Sequence, residues 1–536
     1  MLLLCRGADN LSRHKSSLQR EGAFVKSEST NMSHVGSYFA TSGRSGPGSL
    51  TIQRQIAPKT QALATVGGMN ARGEARPPRK LPPAIDNDTL PVMGLAANDG
   101  AAIPKSRVFA WALWDWATQP FATVITTFVF SVYLTSELFL PDEIRALGSG
   151  AEYDLALSVL SRDFGFAVAI AGIAVAILAP VLGQRADRSG RRKRLLAINT
   201  VLLVAVQASL FFATIEPNMF IFGITMVAIG NIFSEIANVN YNALITQVAT
   251  PRTVGRVSGL GWGFGYLGGI SMLLVSYFGF IQFDVFGLGS DNGIDIRAIA
   301  VACAAWTVIF AIPILISVPE VHSAEGLPKT GFFASYRVLF QDIAHLYRTA
   351  RTTFWFLLAS AIFRDGLAGV FTFGGVLAAI TFGFSATEVL IFGIVANLVA
   401  GISTMAAGKL DDWFGPRSVI IGSLTLLLAS GLALFFLRDA GALAFWIGGL
   451  VLGASVGPAQ AAGRSFLARV TPAGQEGQIF GLYATTGRAV SFLTPTLWSL
   501  FIAIGGAQYW GILGIMVVLA IGLVLMILVK LPTHVR

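Results

Sequence analysis

The sequence contains one loop motif twice: residues 183–192 read GQRADRSGRR, and residues 408–417 read GKLDDWFGPR. Both copies match the pattern Gly-x-x-x-Asp-x-x-Gly-x-Arg, in which Asp187 corresponds to Asp412. Each copy follows an apolar run that is long enough to cross a bilayer. A repeat at corresponding places in two halves is typical of membrane transporters.

A second repeat lies further along each half. Residues 255–265 read GRVSGLGWGFG, and residues 477–487 read GQIFGLYATTG. Both repeats lie on the same side of the predicted membrane in both halves. The sequence therefore predicts a parallel duplication, with the halves related by an axis along the membrane normal.

The composition is that of a membrane protein. Of the 536 residues, 54% are hydrophobic and 12% are charged, whereas a soluble domain has about 25% charged residues. A bilayer accommodates this because the outside of the protein is then also apolar. The net charge of +9 resides in a tail and in short loops, which indicates membrane topology and no nucleic acid as partner.

Twelve apolar runs predict twelve transmembrane helices. The first six runs lie near residues 110–138, 164–182, 195–215, 218–245, 257–281 and 297–318. The second six lie near residues 354–382, 386–409, 418–437, 442–467, 479–504 and 509–531. The predicted fold is therefore all-α and polytopic, with two pseudo-symmetric six-helix bundles. The predicted units are a tail (1–106), a first bundle (107–318), a cytoplasmic central loop (319–352) and a second bundle (353–536).

Loop charges orient this scheme. The loops on the motif side carry the basic residues Arg185, Arg188, Arg191, Arg192, Lys193, Arg194, Arg252, Arg256, Lys329, Arg337, Arg348, Arg351, Arg417 and Arg469. The opposite loops carry the acidic residues Asp142, Glu143, Glu152, Asp154, Glu216, Asp284, Asp291 and Asp295. The positive-inside rule then places both termini in the cytoplasm. In a bacterium the membrane would be the cell inner membrane.

The tail before about residue 106 has a different composition from the bundles. It is rich in Ser, Gly, Arg, Lys and Pro and shows no sustained period, which predicts disorder. Two interpretations stay open: a real cytoplasmic extension, or a start codon assigned too early. The second is slightly favoured, because Met93 lies shortly before the first span. Either way, we expect residues before about Lys105 to be dispensable.

Several longer runs carry a family resemblance. Residues 111–125 (WALWDWATQPFATVI), 241–269 (YNALITQVATPRTVGRVSGLGWGFGYLGG) and 463–495 (GRSFLARVTPAGQEGQIFGLYATTGRAVSFLTP) resemble the vacuole-effluxer family of the major facilitator superfamily. The resemblance extends from about Phe109 to the C-terminus. The first run departs from the family pattern, with Trp114 where Tyr is usual and Thr-Gln-Pro at 118–120 where Asn-Ser-Ala is common.

This resemblance implies a function. It implies a permease that moves a small solute by alternating access, and amino acids are the candidate substrates because fungal members are implicated in exporting them from the vacuole. It also implies that the loop motifs close the cytoplasmic side by contacting helix ends. The gating residues are then Gly183, Asp187, Gly190, Arg191, Arg192, Asp412 and Arg417. The competing interpretation is a basic loop that only sets topology.

Polar residues inside the predicted spans are candidates for the substrate or proton pathway, because they are costly in lipid. These candidates are Asp115, Glu235, Asn238, Arg364, Asp365, Gln460 and Arg488. The resemblance implies that spans 1, 4, 7 and 10 line the cavity, which would suit a zwitterion or a proton-coupled solute. Alternatively, Asp115 and Arg488 form structural pairs between helices.

The sharpest prediction concerns Glu235. It lies about ten residues, or about 15 Å, from the cytoplasmic end of its span, near the bilayer midplane. Arg364 lies at a similar depth, so we expect it to be the partner of Glu235. For Trp111, Trp114 and Trp116 we expect an aromatic belt at the membrane interface.

The polar residues inside the spans bear on three function classes. They favour a secondary transporter of a small solute, with protons as a further candidate partner. A non-transporting sensor or assembly factor is disfavoured, since such a protein has little reason to keep Glu235 and Arg364 in the membrane. An intramembrane enzyme is disfavoured because no histidine lies in a span. The sequence has neither a nucleotide-binding loop nor a spacing typical of metal ligands. We therefore expect a monomer without cofactor or metal.

Overall fold

The computed structural model describes residues 94–95, 98–100, 102–320 and 332–529. All of them belong to one compact unit that begins at Pro91. Twelve helices in the described residues are long and apolar enough to cross a membrane. The predicted all-helical, twelve-span fold is therefore confirmed.

The spans are numbered in chain order. The first half contains spans 1–6, which are Lys105–Leu134, Ala151–Ser189, Arg192–Phe212, Asn218–Val248, Val254–Gln282 and Asp291–Ser317. The second half contains spans 7–12, which are Arg351–Ile380, Ile391–Phe414, Pro416–Phe436, Ala442–Val470, Glu476–Gly505 and Gln508–Leu528. We call the side of the protein that carries both loop motifs the motif face.

Three of the spans that depart from a regular α-helix contain a π-helical stretch or a central break. Span 1 changes after Pro120 to a π-helical stretch, Phe121–Phe128, and span 5 ends in another, Val275–Gln282. Span 11 consists of two α-helices, Glu476–Val490 and Leu493–Gly505. Irregular turns of this kind inside helices are frequently found at functional positions.

The structure differs from the predicted boundaries in two places. Span 2 runs from Ala151 to Ser189 and has 39 residues, because polar turns extend the apolar run at both ends. The stretch predicted as a central loop contains a helix, Phe332–Thr349. One side of this helix is apolar, and a search for fully apolar runs does not find such a helix.

The predicted tail lies mostly outside the described residues. Its last part is packed against the motif face, where Leu95 is only 2% exposed. The Gly94 amide donates to the Thr471 carbonyl oxygen over 3.1 Å, and the Asn98 side chain donates to the Thr246 carbonyl oxygen over 2.5 Å. The boundary predicted at residue 106 therefore lies after a segment that is already part of the fold.

The predicted tryptophan belt is wrong. Trp111 and Trp114 are almost fully buried. Their rings stack on the two sides of Tyr241, with centroid distances of 4.5 Å and 4.4 Å. Trp116 stacks on Trp306. These rings therefore pack inside the first half. A tryptophan pattern in the sequence does not show which way the rings point until the neighbouring helices are known.

Candidate transport pathway

The first lock joins the two halves at the motif face. The Asp187 carboxylate, at the end of span 2, accepts hydrogen bonds from the amides of Gly477 and Gln478, each over 2.8 Å. These amides belong to the first turn of span 11, where backbone donors lack partners within the helix. A carboxylate there also complements the positive end of the helix dipole.

Two further charges complete the first lock. Arg192 donates to Asp187 over 2.7 Å and to Glu476 of span 11 over 2.5 Å. The three side chains are only 4–7% exposed. The first lock, defined as Asp187, Arg192 and Glu476, is therefore a buried triad that spans both halves.

The second lock is the counterpart built from the other motif. Asp412, at the end of span 8, accepts from the Gly255 amide over 2.8 Å and from the Arg256 amide over 3.2 Å. Both amides open span 5 of the first half. Arg256 also donates its side chain to Asp412 over 2.7 Å, but that side chain is 54% exposed. The second lock consists of Asp412 and Arg256.

A further charge group adjoins the second lock, because Arg469 of span 10 lies 3.7 Å from Asp412 and donates to the Pro251 carbonyl oxygen of the first half over 3.1 Å. Arg469 donates to Asp411 over 3.0 Å, and the Ser465 hydroxyl donates to the same carboxylate. Sequence reasoning missed Asp411 and Arg469, although the adjacent acidic residues at 411–412 were visible in the motif. Since neighbours on a helix point about 100° apart, one acidic side chain reaches span 5 and the other span 10.

The remaining motif residues play local parts. Gly190 ends span 2 with a left-handed φ of 60°, which glycine adopts at no steric cost. Arg417 donates to the Ile527 carbonyl oxygen of span 12. Arg191 is exposed. Among these three, only Gly190 has a conformation that requires its residue type.

Glycines let the halves approach closely beside both locks. A β-carbon at Gly408 would lie 2.7 Å from the Gly255 carbonyl oxygen, and one at Gly481 would lie 2.7 Å from the Ala179 carbonyl oxygen. A β-carbon at Gly183 would overlap the Gly477 carbonyl oxygen. Small residues at such contacts let helix backbones touch, so the motif face is closed by backbone packing as well as by charge.

Arg464 of span 10 forms a layer above the locks. It donates to Asp115 of span 1 over 3.2 Å and to Asn242 of span 4 over 3.0 Å. It also donates to the hydroxyl and the carbonyl oxygen of Ser258 in span 5, over 3.0 Å and 2.7 Å. One guanidinium therefore connects three spans of the first half to the second half.

Aromatic rings surround this layer. The Arg464 guanidinium lies 4.9 Å from the Trp111 ring centroid and 5.6 Å from the Trp262 ring centroid, which are favourable cation–π distances. The Tyr241 hydroxyl donates to Asp115 over 2.8 Å. Asp115 thus takes part in a contact between the halves, as the structural interpretation expected.

Two predicted polar residues lie beside this layer. The Asn242 amide donates to the Asn238 side-chain oxygen over 2.8 Å, so Asn238 orients a partner of Arg464. The Tyr266 hydroxyl of span 5 donates to Gln460 of span 10 over 2.8 Å. Gln460 is therefore another contact between the halves.

The deepest charges form the inner pair. Arg488 of span 11 donates to Glu235 of span 4 over 2.5 Å. The two side chains are 35% and 29% exposed, unlike the buried triad of the first lock. Glu235 does lie between the halves, but its partner comes from span 11 and not from Arg364. The inner pair is therefore more accessible than the charges of the first lock.

Arg364 occupies an unusual place beside the inner pair. Its guanidinium lies 3.4 Å from the Tyr483 ring centroid and donates to the carbonyl oxygens of Ser360 and Tyr483. Among the described residues it forms no ion pair within 4.0 Å.

Asp365 faces away from its neighbour Arg364. Its carboxylate accepts from the amide and the hydroxyl of Thr494, over 2.7 Å and 2.6 Å. Thr494 opens the second helix of span 11. Both contacts lie within the second half, in keeping with the 100° that separates adjacent helical residues.

Together the fold and these contacts define the class of protein. Twelve spans in two repeated halves, joined by helix-end caps and enclosing charged residues at mid-depth, are the architecture of a major facilitator secondary transporter. The chain belongs to the family described as Vacuole effluxer Atg22 like, whose model matches residues 162–254 and 246–535. It is a transporter and not an enzyme.

Relatives and solved structures agree with this assignment. The chain is 26% identical over 433 residues to the uncharacterized MFS-type transporter YxiO of Bacillus subtilis, covering 79% of this chain and 95% of YxiO. It is 25% identical to autophagy-related protein 22 of Cryptococcus neoformans, over 50% of this chain and 51% of the fungal protein. The chain therefore spans about half the length of that fungal relative.

A solved structure supports the fold alone. The MFS proton:xylose symporter XylE superposes with a TM-score of 0.60 at 15% sequence identity, covering 80% of this chain and 96% of XylE. At that identity the substrate-binding residues do not transfer. The substrate has to be argued from this chain's own side chains.

Proposed function

We propose that this transporter carries a small zwitterionic solute of the amino-acid type and couples its movement to protons. The observation that carries the proposal is Arg364. A guanidinium inside a membrane protein pairs with an acidic group or with backbone carbonyl oxygens, and among the described residues Arg364 is bonded to carbonyl oxygens and to no carboxylate. A solute carboxylate would supply an anion in a bidentate contact.

The inner pair provides the complementary group. A solute ammonium would replace Arg488 as the partner of Glu235, since the two charges are alike. Arg364 and the inner pair are adjacent, because a β-carbon at Gly487 would lie 2.8 Å from the Arg364 guanidinium. A carboxylate receptor and an ammonium receptor would then lie side by side, which suits an amino acid better than a sugar.

The proton role of Glu235 follows from the same exchange. When Arg488 has left it and no solute ammonium is bound, Glu235 is an unpaired carboxylate inside the protein, and protonation is then the cheapest way to remove its charge. We propose that this step couples solute to protons. XylE, which has the same fold, is described as a proton symporter. Proton coupling is therefore compatible with this fold.

The orientation belongs to the same proposal. The basic loops of the motif face favour the cytoplasm, so both chain termini would be cytoplasmic. The locks would then hold the cytoplasmic side closed while the inner pair is reached from the opposite side. Opening of the locks would expose the site to the cytoplasm.

A counterflow screen tests the substrate class. Proteoliposomes preloaded with one unlabelled amino acid at a time should accumulate the same labelled amino acid, while liposomes preloaded with xylose should accumulate no labelled xylose. Arg364→Gln should abolish the signal because it removes the carboxylate receptor. The matched control, Arg162→Gln, changes an exposed arginine and should leave the signal intact. Counterflow of uncharged sugars, or normal counterflow in Arg364→Gln, would refute the proposal.

A further inference from the structure

The division of span 11 has a visible cause. The Thr494 amide donates to Asp365 of span 7 over 2.7 Å, so it is not committed to the preceding turn of its own helix. The next residue is Pro495, which has no amide to offer the Ser491 carbonyl. The helical hydrogen bond to the Val490 carbonyl oxygen is thus weakened, and the one to the Ser491 carbonyl oxygen is missing. A side chain that inserts into the hydrogen bonds of a helix is a known origin of kinks.

The first segment of span 11, Glu476–Val490, is attached to the opposite half. Its first amides bind Asp187. Further along, the Thr485 hydroxyl donates to the Ala176 carbonyl oxygen of span 2 over 2.9 Å. Near its end, Arg488 binds Glu235 of span 4. Polar contacts along the whole segment therefore reach the first half.

The second segment, Leu493–Gly505, is attached to its own half. Thr494 is bound by Asp365. Trp498 stacks on Phe373 of span 7, with ring centroids 4.3 Å apart. The break therefore separates a segment whose polar contacts reach mainly the first half, with Arg364 at Tyr483 as its contact to span 7, from one bonded to the second half.

We propose that Asp365 is a positioning residue, which fixes a hinge in span 11 and thereby sets Arg488 opposite Glu235. During transport the first segment, Glu476–Val490, bends at the hinge while the second stays on span 7. The proposal goes beyond substrate and coupling, because it requires only that the two halves separate. Asp365 acts through the position of Arg488 and does not itself touch the solute.

Spin labels at two pairs of exposed positions test the hinge. Gln475, just before the first segment, is paired with Arg185 of span 2 to report separation of the halves. Gln475 is also paired with Ser418 of span 9 to report movement within the second half. Electron–electron resonance distances are measured with and without Asp187→Asn, which removes the carboxylate of the first lock.

The expected result is that both distances change when the lock is released. Asp365→Leu should shift the Gln475–Ser418 distance even with the lock intact, because the Thr494 amide is then free to continue the helix. Asp365→Asn retains a side-chain oxygen for that amide and should restore the original distance. If Asp365→Leu does not insert in the membrane, Asp365→Ala serves as the second variant.

Two results would overturn the proposal. One is a Gln475–Ser418 distance that stays fixed while the Gln475–Arg185 distance lengthens, since the segment then moves rigidly with its half. The other is an unchanged Gln475–Ser418 distance in Asp365→Leu or Asp365→Ala. If the role of Asp365 were purely structural, its loss would give an unstable protein. The Gln475–Ser418 distance would then neither shift in Asp365→Leu nor recover in Asp365→Asn.

Discussion

The two locks place their carboxylates alike and their arginines differently. Asp187 and Asp412 each cap the first amides of a helix in the other half. Beside Asp187, Arg192 is 7% exposed and also binds Glu476. Beside Asp412, Arg256 is 54% exposed. Duplication has thus kept the helix cap. The first lock has buried all of its charges, whereas the second leaves Arg256 in solvent and has the buried Arg469 only 3.7 Å from its carboxylate.

This difference determines how strongly each arginine contributes. Removal of one member of a buried charge group leaves the others unpaired at a cost of about 3–5 kcal/mol. An exposed ion pair contributes about 0–1 kcal/mol, because solvent screens it. We therefore propose that the first lock is the stronger switch, and that loss of its charges opens the motif face.

The largest expected effect separates the two arginines. Arg192→Ala should shift the protein strongly toward an open motif face, because Asp187 and Glu476 then remain buried and close together. Arg256→Ala should shift it by less than about 1 kcal/mol. Spin labels at Arg185 and Lys409, both exposed and one in each half, report the open fraction for both variants. Equal shifts would contradict the comparison.

The second prediction concerns what the locks share. Asp187→Asn and Asp412→Asn each remove a charged acceptor from two helix amides, and hydrogen bonds to charged groups contribute about 1.5–3 kcal/mol each. We expect an increased open fraction from both, with reduced transport and normal membrane insertion. The same pair of labels measures the first effect and a transport assay the second. Unchanged transport in Asp187→Asn would leave the motif with a role in topology only.

The third prediction tests backbone contact beside the locks. Gly183→Ala and Gly408→Ala should each prevent full closure, because the added β-carbon meets a carbonyl oxygen of the other half. Overpacking of this kind costs about 1–3 kcal/mol. Gly422→Ala is the control, since a β-carbon there meets nothing within 4 Å. The label distance should lengthen in the first two variants only, and a normal distance in both would refute close packing.

The smallest expected effect concerns the segment before span 1. Gly94 lies against Glu476 of the first lock, and Asn98 binds the loop before span 5. A chain starting at Met93 should behave like the full chain, whereas one starting at Ala101 should have a modestly larger open fraction. Label distances in the two chains are compared side by side. An altered distance in the chain starting at Met93 would show that earlier residues matter.

The sequence was sufficient for the fold. The repeat singled out Asp187 and Asp412 without a structure, and the family resemblance implied that they contact helix ends. The family motifs and the number of spans could also be predicted from the sequence. The motifs depend on the local sequence pattern, and the number of spans depends on the length of the apolar runs.

The partners of the inner charges could not be predicted in this way. Depth alone made Arg364 the expected partner of Glu235, but helix rotation places Arg488 there. The central role of Arg464 was missed for the same reason, since its four hydrogen bonds go to three residues on three different spans. Side-chain direction around a helix changes by about 100° per residue, and only tertiary packing fixes it.

Gradient-driven transport tests the central claim, that the inner pair couples a solute to protons. Proteoliposomes containing the wild-type protein should accumulate the amino acid that gave a counterflow signal when a pH gradient is imposed. Accumulation should stop when the gradient is collapsed. Glu235→Gln should show no accumulation above equilibrium and no dependence on pH. Glu216→Gln, which changes an exposed loop carboxylate, should behave as wild type. Gradient-driven accumulation by Glu235→Gln at the wild-type level would contradict the account.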